Sequence, residues 1–138
     1  MPYCYKYPRP ALTVDALIIT GDEKVLLIQR KNPPFKDLWA LPGGFVDIAE
    51  TPEKAAEREL EEETGLKGIP LKQFHCYGAI DRDPRHRTVS IVFTGKIKNS
   101  ADYKPIGNDD AATAGWFDIN NLPKLAFDHD VIISDALK

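Results

Sequence analysis

A chain of 138 residues with 43% hydrophobic and 28% charged side chains fits one compact domain, spanning 1–138, with enough apolar material for a real core. Its net charge of −3 argues against a nucleic-acid surface, so an anionic ligand must be met by cations gathered locally. The longest apolar runs, 16–19 and 25–28, are far too short to span a membrane, and the opening "MPYCYKYPRP" has no apolar signal core; the cytosol is the default address. Cys4 and Cys76 have neither metal-binding nor redox spacing, and His75, His86 and His129 form no cluster with them, so all five read as structural.

In chain order, "ALTVDALIIT" and "KVLLIQRK" are apolar and β-branched, and Gly21-Asp22-Glu23 supplies a turn between them, which predicts an antiparallel pair. Pro33-Pro34 cannot lie in a ladder, so "NPPFKDLW" is a surface loop leading into the short apolar piece "WALPGG". Thr51 as cap, Pro52 at the first helical position, Glu53 in the first turn and Gly65 just past the end predict a helix of about three to four turns. "LKQFHCYGAI" and "RTVSIVFTGKI" read as strands joined by a polar turn, and "AGWFDI" as a shorter strand. "FDHDVIISDALK" has helical periodicity, with Asp128 as its cap. Strands on both sides of one helix, with a second helix at the end, indicate an α/β fold: a mixed sheet between helices.

The helix has a peculiar acidic side. Glu59, Glu62 and Glu63 stand at i, i+3 and i+4 and project from one face, while Glu61 points roughly the other way. A solvated acidic face is the ordinary reading of a Glu-rich helix, and like charges at this spacing repel. The alternative is a hard divalent ion, Mg²⁺ or Mn²⁺, which prefers carboxylate oxygens and takes a further carbonyl from a tight glycine turn such as Gly43-Gly44.

Gly44, then Glu50, Arg58-Glu59-Leu60, Glu62-Glu63 and Gly65-Leu66 at their spacings resemble the complete signature of the Nudix hydrolases. The order of strands, loops and helix resembles that family over nearly the whole chain, which implies its α/β/α sandwich with a mixed β-sheet. By this resemblance Glu59, Glu62 and Glu63 bind the catalytic Mg²⁺ (or Mn²⁺), and the carbonyl of Gly43 is a further ligand. Arg58 orients Glu59, and Glu50 pairs with Arg58; Gly44 and Gly65 support the site. The implied chemistry is hydrolysis of a diphosphate linked to a nucleoside, with a carboxylate accepting the proton of the attacking water.

Outside the motif, "VDALIITGDEKVLLIQRKNPPFKDLWALPGGFVD" and "DRDPRHRTVSIVF" look like the small ADP-ribose pyrophosphatases, which split ADP-ribose into AMP and ribose 5-phosphate. Arg82, Arg85 and Arg87, beside His86, concentrate cations on one turn and suit a diphosphate or terminal ribose; the competing reading is a hairpin tip with solvated charge. Arg30 is a further phosphate candidate, and Phe35 and Trp39 are weighed as adenine-stacking groups against plain packing. Related sequences tend to carry Glu three residues before the tryptophan of "DDAATAGWF", where this chain has Thr113, so Asp109 and Asp110 are the acidic candidates there and Asp110 joins Glu59 and Glu62 as a candidate base. The other readings are a hydrolase of oxidised nucleoside triphosphates or of dinucleoside polyphosphates, and a non-catalytic ADP-ribose sensor. Sensors of that kind carry an appended DNA-binding domain and often a damaged motif; the whole motif and the end at Lys138 favour the enzyme. The expected partner is a nucleoside diphosphate derivative, with no nucleic acid and no membrane; a homodimer, common in the subfamily, is left open.

Overall fold

The computed structural model describes residues 2–107 and 111–138, with the side chains of 111 and 112 left aside. Seven strands form one mixed sheet: β1 (Ala11–Thr20), β2 (Lys24–Arg30), β3 (Trp39–Ala40), β4 (Gly43–Phe45), β5 (Lys72–Tyr77), β6 (Thr88–Ile97) and β7 (Ala111–Asp118). Two α-helices complete the fold, α1 (Pro52–Thr64) and α2 (His129–Ala136).

The hub is β1. It runs parallel to β6 from Ala11↔Thr88 to Thr20↔Ile97, and on its other side it pairs with β2 only at Ile19↔Val25. The strands then part, and β4 fills the gap by pairing with Thr13, Val14 and Asp15. This divergence brings Gly43 and Gly44 into the middle of the molecule.

Alternation along β1 assigns the two layers. Val14, Ala16 and Ile18 belong to clusters with Ala55, Ala56 and Leu60 of α1, whereas Leu17 packs with Ile132 and Ile133 of α2. A strand buried on both faces reads as a continuous apolar run, which is why the sequence pattern of β1 shows no clean period of two. With α1 on one face and α2 on the other, the fold is the α/β/α sandwich that the sequence predicts.

Local signals fix α1. Thr51 accepts from the N–H of Lys54 at 3.2 Å, Pro52 stands at the first helical position, and Gly65 closes the helix in the left-handed region at φ 77°. Elsewhere the boundaries shift. The expected strand after α1 is shorter, ending at Tyr77, and its polar turn is the longer connection 78–87; β7 begins at Ala111, before the expected Ala114. Cys4 and Cys76 are both exposed, so neither is a core residue. Among the described residues no helix is long and apolar enough to cross a membrane.

Candidate active site

Helix α1 lays Ala55, Ala56 and Leu60 on the sheet, and Glu59 and Glu63, four and eight residues on from Ala55, lie on the same side of the helix and meet β4. Glu63 is almost fully buried, and its Oε1 accepts the N–H of Gly43 at 2.7 Å. Glu59 lies against Gly44 so closely that a Cβ there would stand 2.5 Å from its Oε1. A Cβ on Gly43 would strike the carbonyl oxygen of Val14. Glycine is required at 43, where the clash is with backbone; at 44 a methyl group would instead displace the Glu59 carboxylate.

A positive charge does sit against the acidic face. Arg58 donates from Nη1 to Glu59 Oε1 at 2.9 Å and to Glu62 Oε2 at 3.1 Å. Its Nε and Nη2 meet Glu50 at 3.0 and 2.6 Å, and Nη2 also reaches the carbonyl of Phe45 at 3.1 Å. The hydrogen bonds from Arg58 hold the Glu50 carboxyl down at about 2, and Glu50 in turn raises the guanidinium further above its ordinary value. One arginine therefore ties together four of the motif's elements: β4, Glu50 and two of the three carboxylates.

The donor set fits a hard divalent cation: two or three carboxylates on one helix face beside a backbone shelf that only glycine permits. Among the described residues no three Asp, Glu, His or Cys side chains are drawn together into a finished cage. Arg58 meets one oxygen each of Glu59 and Glu62, and Gly43 meets one of Glu63; a carboxylate can accept such a bond and still offer lone pairs to a cation.

Glu59, Glu63, Gly43 and Gly44 line a cleft of roughly 400 Å³ together with Arg30, Arg82 and Arg85. Arg82 and Arg85 are each paired with an aspartate. Arg82 is buried and grips Asp128 through Nε at 2.9 Å and Nη2 at 2.6 Å; burial lowers its pKa, but the Asp128 pair outweighs that and leaves it raised. Asp128 occupies the cap position of α2 but makes no capping bond, because its carboxylate is taken by Arg82. Arg85 forms the same kind of fork with Asp83, at 3.1 and 2.8 Å. Burial pushes the Asp83 carboxyl up, but Arg85 and Thr88 hold it at about 2. Arg87 is not among the residues that line the cleft; its Nη1 reaches the carbonyl of Thr88 at 3.5 Å.

For Phe35 and Trp39 the packing reading is the one the structure shows. Trp39 packs edge-on against Phe117 with centroids 4.5 Å apart, and Phe35 packs against Phe127 at 4.8 Å, so both are packing groups. The aromatic side chains that line the cleft are Phe45 and Phe127. His129, expected to be merely structural, is buried on the cleft floor, where Nδ1 accepts the N–H of Leu41 at 2.9 Å and Nε2 stands 3.7 Å from Asp15. Asp15 is itself buried and accepts from the hydroxyl of Ser90 at 2.5 Å. Asp109 and Asp110 lie outside the described residues.

The model of the NUDIX domain matches residues 9–136. The chain belongs to the Nudix family. A curated Nudix relative, the ADP-ribose pyrophosphatase of Methanocaldococcus jannaschii, is 49% identical over 137 residues, covering 96% of this chain and 76% of its own. Among solved structures, the Nudix domain of Shewanella oneidensis NrtR in complex with ADP ribose superposes with a TM-score of 0.87 at 33% identity, covering 95% of this chain and 88% of that one. A bifunctional NMN adenylyltransferase/ADP ribose pyrophosphatase of Francisella tularensis, in complex with AMP and a Mn ion, gives a TM-score of 0.85 at 34% identity. That match covers 96% of this chain and 42% of the other, so the Nudix chain spans under half of that longer protein.

Proposed function

We propose that the protein hydrolyses the diphosphate of a nucleoside diphosphate derivative, with ADP-ribose, cleaved to AMP and ribose 5-phosphate, as its main substrate. The observation that carries this reading is a cleft lined by Glu59 and Glu63 together with Arg30, Arg82, Arg85, Phe45 and Phe127, in a chain 49% identical to an ADP-ribose pyrophosphatase. Such a cleft matches a diphosphate flanked by two sugars.

Glu59, Glu62 and Glu63, with the Gly43 carbonyl, would hold Mg²⁺ or Mn²⁺. The ion, when bound, supplies charge neutralisation at the diphosphate and a more acidic water. Arg58, anchored by Glu50, fixes the direction of Glu59, the kind of support that keeps a ligand in register. Arg30 and Arg85 face the substrate's anionic and planar parts, while Arg82 holds the 78–87 connection to α2. The proton of the attacking water goes to Glu59, Glu62 or Asp110. Residues 1–138 are read as one Nudix domain, and two exposed thiols, Cys4 and Cys76, suit the reducing conditions of the cytosol.

A panel of nucleoside diphosphate derivatives with Mg²⁺, its products separated by chromatography, tests this reading. AMP with ribose 5-phosphate is the expected pair. Pyrophosphate released from nucleoside triphosphates in preference would move the protein to the triphosphate class, and tight ADP-ribose binding without turnover would make it a sensor.

A further inference from the structure

Leu41 follows directly on the last residue of β3, so its N–H has no place in the ladder, and Leu41 is buried, where an unmet N–H is costly. The acceptor comes from 88 residues away: Nδ1 of His129, at 2.9 Å. A ring nitrogen that accepts carries no hydrogen, which leaves the proton of the neutral ring on Nε2, the nitrogen on the Asp15 side. Asp15 Oδ1 stands 3.7 Å from that nitrogen and 2.5 Å from the point where a Cβ on Gly43 would lie. One ring therefore reaches the backbone just before the glycine shelf and approaches the carboxylate beside it.

The ring is itself held from behind. Trp39 donates its N–H to the carbonyl of Lys124 at 3.1 Å and accepts the N–H of Ala126 at 2.8 Å, so segments 39–41 and 124–129 run side by side until the ring closes the series. Asp128, the preceding residue, is gripped by the buried Arg82. Beyond Leu41, Pro42 has no N–H to give, and its carbonyl accepts from Ala16 at 2.8 Å, while the N–H of Gly43 goes to Glu63 at 2.7 Å. Three successive residues are thus pinned by three elements: Leu41 by α2, Pro42 by β1 and Gly43 by α1. The packing of α2 already rests on Ile132 and Ile133, so what His129 adds is its polar contact rather than its bulk.

We propose that His129 is a positioning residue for the hydrolytic site: by accepting the Leu41 N–H it sets where the Gly43 shelf stands against Glu59 and Glu63, and so how well the site takes a divalent ion. The proposal rests on reading the cleft as a metal-dependent nucleoside diphosphate site, and it gives α2, which carries none of the motif, a part in that site. Only a proline separates Leu41 from Gly43, and its fixed φ passes a displacement on instead of absorbing it.

Mn²⁺ affinity of the whole chain, followed by water-proton relaxation, is the first reading and needs no turnover. His129→Phe keeps a ring and removes the acceptor. It is expected to weaken Mn²⁺ binding by about ten- to a hundredfold, the loss that follows when a support behind a metal site is removed, and to raise the Mg²⁺ concentration for half-maximal rate on ADP-ribose by the same factor. His129→Asn, whose amide oxygen can take the Leu41 N–H, is expected to recover most of that affinity. A folded His129→Phe protein with wild-type affinity overturns the proposal, and so does a His129→Asn protein that falls as far as His129→Phe. The wild type gives a second reading that depends on no variant. An influence that runs from ring to shelf runs equally in reverse, so Mg²⁺ is expected to slow hydrogen exchange at the Leu41 amide and to shift the His129 Nδ1 resonance. Mg²⁺ that moves the Gly43 amide and leaves both of these unchanged overturns the proposal even where His129→Phe fails to fold. If no nucleoside diphosphate derivative is turned over, the functional reading falls alone, and the Mn²⁺ affinities still decide the role of His129; a wild type that takes up no divalent ion overturns both.

Discussion

Arg58 closes a two-bond fork on Glu50, Nε to Oε2 at 3.0 Å and Nη2 to Oε1 at 2.6 Å. The Glu50 carboxyl lies at about 2 in the fold against 4.5 for the free group. Its stabilising contribution is therefore complete above about pH 4.5 and is lost as the pH falls toward 2. Glu50→Gln should flatten this acid limb in thermal melts taken between pH 2 and 6. It should also weaken Mn²⁺ binding by about ten- to a hundredfold, because Arg58 loses the anchor that directs Glu59.

The carboxylates themselves are separated by conservative variants. Glu62→Gln should lower kcat with Mg²⁺ by about a hundredfold or more while Tm holds, since the lost charge belongs to the ligand set and Glu62 is partly exposed. Glu63→Gln should do the same, with its amide oxygen still able to accept the Gly43 N–H. Steady-state rates beside melting curves check both, and a near wild-type rate in either variant would misplace the metal.

Arg82 should act on the fold rather than on the substrate. Its side chain is 4% exposed and paired to Asp128 through two bonds, so Arg82→Ala should destabilise by about 3–5 kcal/mol, as removal of one partner from a buried ion pair does. Urea unfolding measures the loss. At temperatures where the variant stays folded, KM for ADP-ribose should change far less than it does in Arg85→Lys.

Burial lowers the pKa of His129 from 6.5, and the nearby Arg82 and Arg30 push the same way against the opposing pull of Asp15 and Asp128. A histidine neutral in the fold and protonated when unfolded contributes stability above about pH 6.5 and withdraws it as the pH drops below that value. Protonation would also put a hydrogen on Nδ1, where the Leu41 N–H now points. His129→Asn keeps an acceptor for Leu41 and removes the titration, so its Tm should vary less than that of the wild type between pH 6.5 and 5.

The parts of this molecule legible in the sequence are those determined within a few residues. Thr51, Pro52 and Gly65 act on the backbone next to them, so the limits of α1 follow directly from the chain. The carboxylate face is legible for the same reason, being a matter of helical spacing. The pairs behind the cleft are decided across the fold: Arg82 meets Asp128, 46 residues on, and His129 meets Leu41, 88 residues back. Charge on the 78–87 connection reads as free in the sequence because the partner of Arg82 is remote and the burial of Asp83, which holds Arg85, has no local signal. Asp128 looked like a cap because nothing near it in sequence signals a stronger partner. Phe45 and Phe127 carried no local signal at all, apart from the glycine preceding one and the helix start following the other.

The parallel ladder between β1 and β6 also governs when activity can arise. Every contact in it joins the first strand to one that is synthesised much later, from Ala11↔Thr88 to Thr20↔Ile97, and the whole acidic helix α1 lies within the intervening loop. A chain still emerging from the ribosome has the acidic helix in hand well before the strand that completes the floor beneath it. Closing so long a loop is slow compared with forming the helix, and cleft and carboxylates come into register only afterwards. A chain cut before Thr88 is therefore expected to lack the closed sheet and to be inactive.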